Sequence, residues 1–109
     1  MVFLRAHRGE GDYVPYAGIK AEPTSTDGKS VKIIYDGLLA KSGADRVFLH
    51  LGTGKRTAWK DINDIHLDRT NKGWESSAIK VKDQLNFCFK DSASNWDNNQ
   101  GENWSYIVE

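Results

Sequence analysis

QLNFCFK, residues 84–90, sets Leu85, Phe87 and Phe89 against Asn86, Cys88 and Lys90. A strict period of two, with large apolar side chains on one side, describes a strand with one face in a core. The same pattern recurs in short runs on either side of it. SVKIIYD (30–36) groups Val31, Ile33 and Tyr35, and RVFLHLG (46–52) opposes Val47, Leu49 and Leu51 to Phe48 and His50. WESSAIKV (74–81) aligns Ile79 with Val81, and NWSYIV (103–108) aligns Trp104, Tyr106 and Val108. Turn signals separate the runs: Pro23 with Asp27-Gly28, Lys41-Ser42-Gly43, Gly52-Thr53-Gly54, Asn71-Lys72-Gly73 and the stretch 91–101. Short alternating strands with a turn about every ten residues predict an all-β chain, an antiparallel β-sandwich of immunoglobulin-like architecture. No window sustains apolar spacings of three and four over three turns, and Gly37 and Gly43 bracket Leu38 to Ser42 too closely for a helix. The first 28 residues are less regular and are expected to add one edge strand near Gly18 to Ala21.

No repeat or low-complexity linker divides the 109 residues, so residues 1–109 read as one domain. Basic and acidic side chains number 15 each and cancel. That balance argues against nucleic acid or a membrane surface as partner, since both call for a basic excess. No apolar run approaches the roughly 20 residues of a membrane-spanning helix. The N-terminal MVFLRAHRGEGDYVPYAG offers only Val2 to Leu4 where a secretory signal needs roughly 7 to 15 apolar residues. The expectation is therefore cytoplasmic if this is the natural start, and extracellular if the chain is cut from a larger secreted enzyme. Cys88 is the single cysteine, so no intrachain disulfide or thiolate zinc cluster can form. Its setting is that of a small apolar strand residue.

Catalytic and metal motifs find no foothold. Gly52-Thr53-Gly54-Lys55 lacks the first glycine of a phosphate loop, where Leu49 stands, and Arg56 replaces the required Ser or Thr. Asp91 to Glu102 spaces its ends like a calcium loop, yet Ala93 and Trp96 occupy the third and sixth places, so calcium is not favoured. His7, His50 and His66 are too scattered for a zinc site. No serine sits in a nucleophile elbow, and no pair of carboxylates is singled out for hydrolysis. No cofactor is expected, and the chain reads as non-catalytic.

What remains is aromatic and amide. Trp74 and Trp104 fall in step with apolar neighbours and read as core. Trp96, in WDNNQGENW (96–104), sits among amides and acids that a core cannot hold unpaired, so it reads as surface. For Trp59, in KRTAWKD, core and surface stand even. His50 lies opposite Val47, Leu49 and Leu51 and faces outward. An exposed indole beside amides suits a sugar: the ring covers the apolar face of a pyranose, and each Asn offers a donor and an acceptor to a hydroxyl.

VFLHLG followed by a Trp, then LNFCFKDSASNWDNNQGENW, resembles the starch-binding carbohydrate-binding modules of family 25 and the similar families 26 and 53. The resemblance covers about Val31 to Val108, and the WDNN element after an alternating strand carries most of it. It implies a β-sandwich that binds α-1,4-linked glucans such as starch, glycogen or malto-oligosaccharides without cleaving them. It further implies an aromatic platform of His50, Trp59 and Trp96. Asn98 and Asn99 would either hydrogen-bond sugar hydroxyls or brace the loop, and Asp97 would turn the loop and cap backbone amides. Family members usually ride on secreted amylases; without a leader, the expectation moves toward intracellular glycogen or starch-like granules and a glucan-active enzyme as partner. The turn after His50, LGTGKRTAW, departs from the shorter asparagine-rich turn of the family. The rival readings are an immunoglobulin-like protein-interaction domain with a tryptophan hot spot, and a small glycoside hydrolase.

Overall fold

The computed structural model describes residues 3–5 and 12–108, so His7 lies outside it. Among the described residues the strands are β1 (Phe3–Arg5), β2 (Asp12–Val14), β3 (Ile19–Pro23), β4 (Ser30–Tyr35), β5 (Val47–Lys55) and β6 (Ala58–His66). They continue as β7 (Asp68–Thr70), β8 (Gly73–Glu75), β9 (Ile79–Lys80), β10 (Gln84–Asp91), β11 (Trp96–Asp97) and β12 (Trp104–Ile107). One sheet runs β1-β12-β10-β5-β6 with β11 beside β10, and the other runs β2-β3-β4-β8-β7 with β9 beside β4. Every described pairing is antiparallel except β1 with β12. The chain is an all-β sandwich of immunoglobulin-like architecture.

The inward faces are built from the apolar sets that the alternation predicted, joined by Ile19 of β3, which it did not. Leu49, Phe87, Phe89 and Tyr106 from one sheet meet Ile19, Val31, Ile33 and Tyr35 from the other, all fully buried. Tyr35 stacks on Phe89 across the two sheets, with centroids 3.9 Å apart and planes 17° from parallel. Tyr106 adds a second tie, its hydroxyl donating to the Gly28 carbonyl at 2.8 Å. Burial of this set supplies the driving force, and the two tyrosine hydroxyls fix how the sheets sit on each other.

Three expectations are corrected. The strand near Gly18 to Ala21 is not an edge: β3 lies between β2 and β4. The true edge, β2, has three residues, too few to show a period. Leu38–Lys41 does form one helical turn, α1, with Lys41 and Ser42 amides donating to Gly37 and Leu38 carbonyls at 3.0 Å. The glycines that seemed to forbid it are its ends, Gly43 taking φ +81 just past it. The WESSAIKV run is two short strands, not one. Buried Ser76 interrupts it, accepting the Ile33 N–H on its hydroxyl at 2.9 Å.

β6 is absent from the sequence reading. Its nine residues are largely exposed, as fits an edge strand. Its register also shifts: Thr53 faces Lys60 but Leu51 faces Asn63, so β6 carries one extra residue, near Asp61 at φ +52. A bulge of this kind erases the period of two. It also decides the site. Trp59 pairs with Gly54 and Asp64 with His50. Five residues apart, Trp59 and Asp64 would face opposite ways on a regular strand; the bulge brings both to the side of His50.

Candidate functional site

On the outward face of the β5–β6–β10 sheet, His50, Trp59, Trp96, Asn98, Cys88 and Asn103 line one open depression of about 420 Å³. His50 stands at its centre. Its ring lies 5.8 Å from the Trp59 centroid at 34°, and 5.3 Å from that of Trp96 in an edge arrangement at 89°. The two indoles therefore flank the imidazole at different inclinations and make an angled surface, not a flat one.

Each aromatic is held from behind. Trp59 is half-buried, its Nε1 donates to the Arg56 carbonyl of its own hairpin at 2.7 Å, and its ring lies over Gly52. A Cβ on Gly52 would come within 2.9 Å of Trp59 Cβ and Cε3, so the indole can lie close only because position 52 has no side chain. The hairpin is pinned in turn by fully buried Asn86. Its Nδ2 donates to the Gly54 carbonyl at 3.0 Å, and its Oδ1 accepts from Ser105 and Gln84 at 2.8 Å. Asn86 and Cys88 lie on the side of β10 opposite Leu85, Phe87 and Phe89, yet both are buried, β10 being a central strand.

His50 Nδ1 lies 2.5 Å from Asp64 Oδ1, and Asp64 Oδ2 lies 2.5 Å from Lys90 Nζ. The carboxylate calls for a proton on Nδ1, which leaves Nε2 of the neutral ring as an acceptor. Partial burial pushes the Asp64 carboxyl up, but the hydrogen bonds from Lys90 and His50 outweigh it and hold it below the usual carboxylate value. Lys90 in turn places its ammonium 5.3 Å over the Trp96 ring, a cation–π contact that occupies one side of the indole.

The loop that carries Trp96 explains its own composition. Asp91 accepts the Ala93 and Asn95 amides on Oδ1 and the Asn95 Nδ2 on Oδ2, and these bonds, that from the Asn95 side chain above all, hold its carboxyl low. Trp96 then pairs with Lys90 on the sheet and stays 45% exposed. Asp97 accepts the Tyr35 hydroxyl at 2.5 Å, and that hydroxyl accepts the Leu39 N–H at 3.0 Å. Asp97 is thus tied to the core through a side chain; the backbone capping expected of it is not among its described contacts. Burial first, then Asp97, pushes the Tyr35 phenol far above its ordinary value, so it stays a donor. Asn98 Oδ1 accepts the Gly101 N–H at 3.0 Å, and Asn99 Nδ2 donates to the Asn103 carbonyl at 3.1 Å. Asn99, Gln100 and Asn103 take φ of +56, +57 and +58, a left-handed conformation that amide side chains tolerate better than most. Asn98 faces the depression while Asn99 does not line it and holds the turn. Asn103 and Cys88, unpredicted, complete the lining; burial pushes the Cys88 thiol up to about 12, so it stays neutral.

The Tyr35–Asp97 link makes a measurable claim. Tyr35→Phe leaves the Leu39 N–H and one Asp97 oxygen without their partner, an expected loss of about 1–3 kcal/mol. For a domain this size that lowers Tm by roughly 5–15 °C, read by calorimetry.

A part of a known enzyme is similar to this chain. An alpha-amylase of Clostridium acetobutylicum is 32% identical over 100 residues, which take in 86% of this chain and 12% of the amylase. The chain therefore spans only a small part of that relative's length. No family model matches the chain, and no solved structure matches it.

Proposed function

We propose that this chain is a non-catalytic carbohydrate-binding module for α-1,4-linked glucans, of the kind found in family 25, gripping the sugar on Trp59, His50 and Trp96. The observation that carries the reading is the angled pair of indoles around His50 in an open, amide-flanked depression. A helical glucan presents successive rings at an angle, which two inclined indoles meet better than a flat chain does. Asn98 supplies Nδ2 to hydroxyls, its Oδ1 being engaged by Gly101. Likeness to a stretch of an alpha-amylase supports a glucan ligand, with a glucan-active enzyme as the natural neighbour. Asp64, the carboxylate at the wall of the depression, is engaged by both His50 and Lys90, which suits holding the platform in place better than the paired acid–base work of hydrolysis.

Stacking at about 1 kcal/mol per ring beyond area burial offsets only part of the association cost, so affinity for a short oligosaccharide is modest and a polymer gains by avidity. Affinity electrophoresis tests the proposal. The protein should be retarded in gels containing amylopectin or glycogen and run freely in plain gels. A folded protein that no α-glucan retards sinks the reading and promotes the tryptophan hot spot for a protein partner.

A further inference from the structure

A second depression, about 410 Å³, adjoins the first on the same sheet face, and Asp64 and Lys90 form the wall between them. Its floor is a ring pair. Phe48 and His66 face each other across β5 and β6, with centroids 4.5 Å apart and planes at 52°. Phe48 precedes His50 by two residues and His66 follows Asp64 by two, so alternation puts all four side chains on one side of the sheet. The step from His50 to Phe48 is roughly 7 Å of strand. Lys90 spans it, its ammonium 5.3 Å over Trp96 and 5.9 Å over Phe48.

The polar groups around these rings suit hydroxyls. Lys90 keeps donors beyond the one spent on Asp64, and Ser92 and Ser94 line the rim with hydroxyls that make no hydrogen bond among the described residues. Asp91 also lines it, but its carboxylate is consumed by its own loop. Half-buried Phe48 and exposed His66 offer a second ring surface on the far side of the Asp64–Lys90 pair from the platform. A third site elsewhere has weaker standing. The larger cleft of about 900 Å³ beside the β5–β6 hairpin mixes Lys29, Lys60, Lys80 and Lys82 with three aspartates and has no aromatic surface.

We infer that the glucan platform continues across the Asp64–Lys90 pair onto Phe48 and His66, which take a further sugar of the same chain. The inference rests on the glucan reading above and gives the site a preference for longer chains. A trisaccharide fills the platform; a longer chain reaches the Phe48–His66 pair as well. Register statistics alone also favour a long chain, by a few-fold, and that part survives any change at the second pair.

Titration calorimetry with maltotriose and maltoheptaose on the whole chain separates the two. The expected ratio of affinities for wild type is roughly 20-fold in favour of the heptasaccharide, stacking and registers together. Phe48→Ala and His66→Ala should each cut the ratio to a few-fold while leaving maltotriose within about twofold of wild type. His66→Ala removes an exposed ring and keeps the test open if Phe48→Ala melts early. A ratio unchanged in both variants overturns the inference, as does an equal loss for both sugars. Failure of both sugars to bind wild type overturns the platform reading and this extension with it.

Discussion

Trp96→Ala should lose at least roughly 30-fold in affinity for amylopectin, as expected for truncating an aromatic anchor, with little change in stability. The ring is 45% exposed and touches the protein through His50 and the Lys90 ammonium, so its removal opens no cavity in the core. Changes of that kind usually stay within about 0.5 kcal/mol. Trp104→Phe is the matched control. Trp104 is 2% exposed, packs on Phe87 and Phe89, and is the residue whose buried ring N–H lacks a partner among the described residues. Phenylalanine removes that unpaired donor, a gain of about 1–3 kcal/mol that offsets the cavity left by the smaller ring. The control should therefore melt near wild type and stay fully retarded in an amylopectin gel. Equal retardation of Trp96→Ala and wild type would remove Trp96 from the platform.

The contrast between these tryptophans shows how far residues alone carry. Trp104 and Trp96 were legible because each sits in a neighbourhood that only one side of a protein can hold. Trp59 was not, because its direction depends on the bulge near Asp61, and a bulge leaves no mark in the hydropathy pattern. The four runs built on Val31, Leu49, Phe87 and Tyr106 were legible since each has one face in the core. β6 was missed for the opposite reason: an exposed edge with a broken period looks like a polar loop. Asp64 and Lys90 stood far apart in the chain, and only the cross-strand register puts both beside His50. The amides of 98–103 were assigned to sugar and loop together; the positive φ values of Asn99, Gln100 and Asn103 give the loop its own reason for them.

Gly52→Val should reduce glucan binding as far as Trp59→Ala does. Position 52 lies outside the left-handed region, so backbone strain is not the issue; space is. An ideal Cβ falls 2.9 Å from Trp59 Cβ and Cε3 and 3.2 Å from the Lys60 carbonyl, and valine adds two methyl groups to that clash. The indole cannot simply slide away, since its Nε1 is bonded to the Arg56 carbonyl at 2.7 Å. It must rotate off the sheet, breaking that bond and leaving His50 without its neighbour at 5.8 Å. Gly54→Ala separates this effect from damage to the hairpin. A Cβ at Gly54 has room, the nearest atom being the Ala58 carbonyl oxygen at 3.9 Å, but its φ of +85 is strained for any other residue. It should cost about 1–3 kcal/mol of stability while keeping binding. Measured side by side by thermal melting and by retardation in amylopectin, the two glycines should thus fail in opposite ways. Wild-type retardation of a folded Gly52→Val would mean that Trp59 does not touch the sugar, and His50 and Trp96 would have to carry the platform between them.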